Sequence, residues 1–432
     1  MASEVATRRR LDRARRRVAV IGAGFIGVAT AHALLDRGYA VTLIDPGGEQ
    51  GRPSEGNAGW IAHTDIMPLA SPKAWRHLPR WMADPLGPLA IRPAYLPRLA
   101  PWLARFMLAS RPSRIEASIR ALRAIQAGAL PAWRQRLNAL GLAHHLRERG
   151  TLTVWSDARD FAEAPSMLDR QKRFGIPFEL FDGPGLRKLE PALGEAIVGA
   201  VLYPGACHVS DPRTLLEALH GAAIQRGASL VRGKASRITP TGQGISVETA
   251  SGETVSAGHA VIAAGAWSRA LAWQCGDSIP LDTERGYNAT FPAGAIGLRH
   301  PVLFEGHGFV TTPLDTGDRI GGAVEFAGLS AAPNFARVDA LLGKLRLLVP
   351  GFKATAADGR LWMGFRPSLP DSLPVIGPSR NNGRIVYAFG HGHYGLTQAA
   401  ITAEMVASLI AGGRPAVPPE PFRASRFRVF GG

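Results

Sequence analysis

Apolar positions first fall into a regular pattern at Val18, where the run VAVI has the length of a buried strand, and a similar run, VTLI, begins at Val41. Between them FIGVATAHALLDR keeps helical character until Gly38 stops it. Strand, turn, helix and strand in that order predict a βαβ unit over 17–45. Further on, the spacing of Leu122, Ile125, Leu130, Trp133 and Leu137 predicts a helix over 115–140 that ends at Gly141. A strand is expected over 150–155, a helix over 161–174, a short helix from 186 that Pro191 limits, and a strand over 200–203. Residues 211–227, DPRTLLEALHGAAIQRG, read as an amphipathic helix with Asp211 at the N-cap and Pro212 at its first position. Short β runs at 228–232 and 246–248 precede a strand over 260–264. Alternating runs restore a sheet over 280–326, a helix is expected over 334–348, a buried strand over 384–389 and a last helix over 396–411.

The first turn carries chemistry. Gly22, Gly24 and Gly27 form G-x-G-x-x-G between the first strand and its helix. Gly22 allows a tight turn, Gly24 leaves room for a pyrophosphate, and Gly27 lets the helix lie close to the strands. The helix start offers free N–H groups and a positive pole to phosphates. Asp45, at the end of the second strand, stands where a carboxylate accepts ribose hydroxyls. The unit therefore predicts dinucleotide binding, and the strand over 260–264, ending in Ala264 and Gly265, brings the chain back to the same sheet.

Two segments resist periodic reading. Residues 46–63, PGGEQGRPSEGNAGWIAH, are glycine-rich and polar, and a loop over the cofactor is expected there. Residues 67–111 spread Trp75, Trp81, Trp102, Phe106 and Met107 among prolines and arginines, so short helices broken by proline are expected. That segment suits a helical subdomain covering the core, or a lid or surface meeting a membrane or an electron acceptor.

With 432 residues, 46% hydrophobic and 19% charged, the chain is an ordinary globular protein long enough for two domains. The net charge of +16 owes much to seven arginines between Arg8 and Arg17, in a segment without apolar periodicity that reads as a disordered basic arm over 1–16. The remaining excess reads as a solvated arginine-rich surface or as attraction to an anionic membrane or acidic partner. No zinc, helix-turn-helix or aromatic RNA-binding pattern accompanies the charge, so nucleic acid is not an expected partner. Cys207 and Cys275 have no metal or redox spacing and read as free thiols of a cytoplasmic protein, and no metal site is expected. No apolar stretch is long enough for a membrane span, which leaves peripheral contact with the inner face of the cell membrane as the membrane expectation.

Four pieces of sequence together resemble the flavin-dependent amine oxidoreductases of the D-amino acid oxidase superfamily, within it the D-amino acid dehydrogenase and hydroxyproline dehydrogenase branch. They are the glycine fingerprint with Asp45; Ser54-Glu55-Gly56-Asn57-Ala58-Gly59, similar to that branch's loop over the flavin; WMGFRPSLPDSLPVIG over 362–377; and FGHGHYGLT over 389–397. The resemblance implies an α/β fold in which an FAD-binding Rossmann-like domain of the glutathione-reductase type (17–66, 195–275 and 355–432) is interleaved with a β-rich substrate domain bearing a helical insert (67–194 and 276–354). It also implies oxidation of a D-amino or imino acid by hydride transfer to flavin N5, giving an imino acid that hydrolyses to a 2-oxo acid and ammonia. Electrons would pass to a quinone, another carrier or oxygen. A D-hydroxyproline dehydrogenase and a glycine or sarcosine oxidase are the enzymatic alternatives. A structural FAD-binding subunit is the non-catalytic one, and an NAD-dependent dehydrogenase does not account for the C-terminal half.

Flavin reduction builds negative charge near N1 and the C2 carbonyl, and a helix start behind Gly390, Gly392, Gly395, Leu396 and Thr397 supplies a positive pole for it. His391, His393 and Tyr394 lie in that turn. The resemblance places Arg366 on the substrate carboxylate, which suits its planar fork; the competing partner is Asp371. Arg285, in TERGY, is a second candidate for the pocket, with Tyr287 and His307 as further lining. Relatives that tether flavin through cysteine carry it just before the Pro-Asp segment. Here Trp362 and Met363 stand there, so FAD is expected without a covalent link.

Overall fold

The computed structural model describes residues 16–48, 52–70, 86–87 and 89–427. The basic arm up to Arg15, together with Trp75 and Trp81, lies outside them.

A six-stranded sheet holds the nucleotide-binding pattern, in the order Ser229–Arg232, Ala40–Asp45, Arg17–Ile21, His259–Ile262, Ile385–Phe389 and Val375–Pro378. The first five strands are parallel and the last is antiparallel. The chain reverses its direction of winding beside Arg17–Ile21, and the crevice outside the carboxyl ends of the strands opens there. The Phe25–Asp36 helix is apolar on nearly every side and is buried almost throughout. It packs against the helices Gly395–Ile410, Pro212–Gln225 and Pro112–Ala139 on one face of the sheet. The opposite face is covered by the Ser268–Gln274 helix and a three-stranded antiparallel meander, 235–257.

The second sheet has nine strands. Its path runs Arg360–Ser368, Asp282–Phe291, Gly317–Phe326, Phe309–Leu314, Val302–Phe304, Thr151–Trp155, Gly199–Tyr203 and Glu179–Asp182, with Leu89–Ile91 added beside Gly317–Phe326. The Ala336–Leu348 helix backs it through Val338, Leu341, Leu342 and Leu345.

The expected domain boundaries move in three places, each because strand pairing or side-chain packing overrides chain order. Gly199–Tyr203 pairs on both sides within the nine-stranded sheet, although 195–275 was assigned to the nucleotide domain. Arg360–Ser368 pairs with Asp282–Phe291 and belongs to the same sheet. The Pro112–Ala139 helix, assigned to the substrate domain, sends Leu122, Ile125, Leu130, Trp133 and Leu137 into the core of the nucleotide domain.

Two local expectations change as well. Pro53–Gly56, inside the expected loop, forms one helical turn with proline at its start. Within 67–111 the described residues form the Leu89–Ile91 strand and a 14-residue helix, Leu96–Ala109, that runs through Pro101. Pro97 sits in the first turn, where no hydrogen bond is lost, and Pro101 forfeits only one. Leu99 and Trp102, packed against Phe326, hold the helix in place.

His32 is buried at the centre of the helix layer. It pairs Nε2 with Leu219 O at 2.9 Å and receives Arg226 Nη1 on Nδ1 at 3.0 Å. Burial pushes its pKa down to about 4, and the charges of Arg136 and Arg226 act in the same direction. Between pH 6.5 and 4 the unfolded chain therefore binds a proton here that the folded chain does not, so stability falls as pH falls. His32 alone contributes up to about 3 kcal/mol of that loss. Urea unfolding measured across this range should show the decline, and His32→Gln should make it shallower.

Candidate functional site

One cavity of about 2120 Å³ runs from the glycine turn, past residues 264–267, to the face of the nine-stranded sheet. A pocket for one small ligand is typically 300–1,000 Å³, so this cavity has room for an extended dinucleotide and a substrate together.

At its nucleotide end the glycines meet their backbone demands. Gly22 has φ 101°, and a Cβ there would lie 2.4 Å from Ala263 O. A Cβ on Gly27 would lie 1.8 Å from Gly22 O, so Gly27 is the residue that lets the helix approach the turn. Asp45 accepts from Ala23 N–H at 2.7 Å and Gly47 N–H at 2.8 Å and contacts Arg52. Ser54 Oγ accepts from Phe25 N–H at 3.1 Å and so docks the 53–59 loop onto the helix start. Asn57 and Ala58 border the cavity. The Asn57 amide holds the loop's own backbone by donating to Pro53 O and Ser54 O, and its oxygen accepts from Gly59 N–H at 2.8 Å.

The turn before the last helix forms another wall. Gly390 has φ 81°, and a Cβ there would lie 2.3 Å from Leu369. Gly390, Gly392, Gly395 and Leu396 all border the cavity, as do Ala264 and Gly265. Thr397 and Gly59 do not. Thr397 Oγ1 accepts from Ala62 N–H at 3.0 Å and donates to Trp60 O, which makes it a strut between the helix and the preceding loop. Gly59, at φ 79°, turns the chain away toward Val209 and Leu314.

Alternation along Asp282–Phe291 decides the substrate end. Asp282, Glu284, Gly286 and Asn288 face the cavity. Arg285 points the other way and is fully buried: Nε donates to Gly328 O at 2.9 Å, Nη1 to Ala332 O at 3.2 Å, and the guanidinium lies 5.4 Å from the Phe365 ring. Arg285 is therefore excluded as a pocket residue. Tyr287 reaches the cavity edge past a β-bulge and donates to Glu325 at 2.5 Å, whereas His307 bonds Ser156 Oγ at 2.7 Å away from the cavity.

Arg366 faces the cavity directly across the strand register from Glu284. A Cβ on Gly286 would lie 2.3 Å from Arg366 Cζ, so the guanidinium rests against bare backbone. Its one hydrogen bond among the described residues is long, 3.5 Å to Ala323 O, and Ala323 is the extra residue of the bulge with φ 53°. Asp371 is held by Arg426 at 2.8 Å, so the competing salt bridge does not form. Burial lowers the Arg366 pKa against the pull of Glu284.

His393 Nε2–H donates to Glu284 at 2.8 Å. Tyr394 donates to Asp65 Oδ2 at 2.7 Å; burial and Asp65 push its pKa well above the ordinary tyrosine range. His391 is buried at the cavity wall, bonds Thr402 Oγ1 at 3.0 Å, and burial pushes its pKa down to about 3, which favours the neutral ring.

Glu284, Asp65 and the Tyr95–Asp282 pair (2.9 Å) were not foreseen. TERGY carries no signal for Glu284: in a strand buried on both faces the pattern does not mark which parity enters the cavity, and only the structure shows that Glu284, not Arg285, shares a face with Gly286. Arg319 was also missed. It is buried, donates to Asn57 O at 2.6 Å and Thr290 Oγ1 at 3.0 Å, and burial lowers its pKa to about 10.

A family model described as FAD dependent oxidoreductase, the DAO family, matches residues 17–409. The chain belongs to the DAO family of FAD-dependent oxidoreductases. It is 38% identical over 419 residues to a D-amino-acid oxidase of Bradyrhizobium diazoefficiens, covering 95% of this chain and 99% of that one. It is 30% identical to D-amino acid dehydrogenase 2 of Ralstonia nicotianae, covering 95% and 100%. The crystal structure of glycine oxidase from Geobacillus kaustophilus superposes with a TM-score of 0.72 at 23% identity over 95% of this chain and 99% of that chain. This DAO-family enzyme has, among its described residues, no helix long and apolar enough to cross a membrane.

Bare backbone at Gly22 and Gly24, the helix start behind them and the Asp45 carboxylate fit the ADP half of FAD. Because a Cβ on Gly24 would already lie 2.7 Å from Ser54 Oγ, Gly24→Val should displace the loop and fill the phosphate position. Flavin absorbance per chain should drop severalfold in the purified variant, and full occupancy would reject the assignment.

Proposed function

We propose that this enzyme oxidises the amine carbon of D-amino or imino acids. The observation that carries the assignment is Arg366: a largely unengaged guanidinium on bare strand backbone, inside the cavity that begins at the glycine turn. The names of the two relatives above support D-amino acids, and the likeness to glycine oxidase supports the fold that such an oxidation uses.

The glycine turn, Asp45, Ser54 and the 57–58 backbone would hold the ADP part of FAD. Residues 264–265 and the 390–396 turn would meet the remainder, and neither cysteine lies on the cavity wall, which supports FAD held without a thioether. When bound, FAD supplies the two-electron acceptor for the amine carbon. The chain supplies placement and charge. Arg366 grips the substrate carboxylate by two parallel N–H bonds. Leu89, Ile91, Tyr95, Trp102 and Phe326 form an apolar wall that excludes water and strengthens that grip. His393 and Tyr394 close the side nearest the last helix. The imino product leaves to hydrolyse to a 2-oxo acid and ammonia. Electrons pass on to a quinone, another carrier or oxygen, and the anionic inner face of a membrane is a docking place that the net charge of +16 favours.

Anaerobic bleaching of the bound flavin by a panel of D- and L-amino acids, glycine, sarcosine and hydroxyprolines tests the assignment, and reoxidation by air against a soluble quinone reads the acceptor. Charge-assisted bonds are worth roughly 1.5–3 kcal/mol each, so Arg366→Met should lower kcat/KM by about two to four orders of magnitude. Flavin content should stay at the wild-type level. Arg366→Lys should recover little, since a point ammonium cannot make two parallel bonds to a planar group. Full activity in Arg366→Met would move the carboxylate site elsewhere.

A further inference from the structure

We propose that His393 receives the ammonium proton of the substrate and that Glu284 positions it to do so. The inference rests on the amino acid assignment above and adds the acid–base group that assignment lacks.

Glu284 is 2% exposed, yet it is an anion shared by three groups. It accepts from His393 Nε2–H at 2.8 Å and from the Ser368 hydroxyl, and it stands opposite Arg366 in the strand register. Burial drives its pKa up, but His393, Ser368 and Arg366 outweigh burial and hold it below the ordinary glutamate value. A neutral imidazole has one N–H. With that proton committed to Glu284 at Nε2, Nδ1 is left with a lone pair and can only accept. Nδ1 makes no hydrogen bond among the described residues, and the ring, 35% exposed, borders the cavity. An amino acid carries its ammonium one carbon from its carboxylate. A zwitterion gripped at Arg366 is thus brought to the same buried anion that orients the imidazole.

The other ionisable groups facing this corner leave the role to His393. Asp65, on the loop after Trp60–Ile61, already takes the Tyr394 hydroxyl, and Asp282 takes that of Tyr95. Burial pushes both carboxyls upward, against the hydrogen bonds that Asp65 accepts from Tyr394 and Met67 and that Asp282 accepts from Thr283 and Tyr95. Tyr394 is held protonated far above neutrality. Arg366 and Arg269 are the cations, and neither accepts a proton at working pH.

In the step itself an N–H bond of the substrate ammonium breaks, the proton bonds to Nδ1, and the electron pair stays on the amine nitrogen. Nothing is oxidised or reduced. The positive charge moves onto the imidazolium, next to the Glu284 carboxylate, and the amine becomes the neutral form that can lose a hydride.

The test uses the FAD-loaded enzyme and two variants, Glu284→Gln and His393→Gln, with flavin absorbance confirming that each is folded. The first readout is the pH dependence of anaerobic flavin reduction by a good substrate. Removing the anion beside the ring should move the acid limb to lower pH by about one unit or more. Removing the ring should move it to higher pH, toward the titration of the free amine. The second readout is 15N NMR of histidine-labelled enzyme, with the His393 signal assigned by its loss in His393→Gln. It should report the Nε2–H tautomer in the wild type and a lower titration midpoint in Glu284→Gln. If both variants slow reduction equally at every pH with the limb in place, or if the His393 signal shows the Nδ1–H tautomer, the proposal is wrong. Should no amino or imino acid bleach the flavin, the substrate assignment fails instead, and the proton-acceptor role fails with it.

Discussion

The pairing of Asp282–Phe291 with Arg360–Ser368 is the constraint on which the rest of the site depends. Nine consecutive register positions place Glu284 across from Arg366, Gly286 across from Gly364 and Asn288 across from Trp362. Both ends of the cavity hang on those pairs. Asn288 donates to Gly56 O at 2.5 Å, and the Trp362 ring lies so close to Gly56 that a Cβ there would stand 2.3 Å from it. The 53–59 loop is thereby clamped to the nine-stranded sheet, while its Ser54 caps the first turn of the nucleotide-binding helix. A slip of one residue between the two strands would turn Glu284 and Gly286 away from the cavity and break the clamp as well.

Packing around these groups gives them their strength. The cavity walls are mostly apolar, and the carboxylates near Arg366 face specific partners. Asp282 is taken by Tyr95 and Asp65 by Tyr394, and Asp371, off the cavity wall, is held by Arg426. Between the Arg366 guanidinium and the His393 imidazole stands the buried Glu284 carboxylate. In a low-dielectric setting such fixed charges act without the reorganisation that water would need.

Much of the nucleotide-binding half was legible, because its signals are local. Three glycines answer backbone demands that few other residues meet, and two apolar runs and a terminal acid mark the strands around them, whereas the order of the strands in the sheet had to come from the structure. That Arg366 borders the cavity was legible through its setting between Gly364 and Pro367. Arg285 misled because the sequence of a strand buried on both faces hides which parity points inward; the burial of all ten residues of Asp282–Phe291 shows why no polar alternation marked it. The domain boundaries failed for a related reason: Gly199–Tyr203 and Arg360–Ser368 find their partners far away in the chain, and spacing carries no trace of that choice. Thr397 looked like part of the phosphate- or flavin-facing turn, but a helix rotates a residue through about 100° per step, and one position beyond Leu396 is enough to face the Trp60 backbone.

The interleaving of the two sheets also sets an order of events during synthesis on the ribosome. His259–Ile262 can pair at once with Arg17–Ile21, already made, but its other edge waits for Ile385–Phe389, roughly 120 residues later. At about 5–20 residues per second that edge stays open for on the order of ten seconds, flanked by an apolar surface that the last helix has not yet covered. The nascent chain therefore passes through a stage in which four strands of the nucleotide-binding sheet are made and the edge of the fourth is open to solvent and to neighbouring chains. Slow translation through 263–384, or a shortage of chaperone at that stage, is where this fold is most open to aggregation.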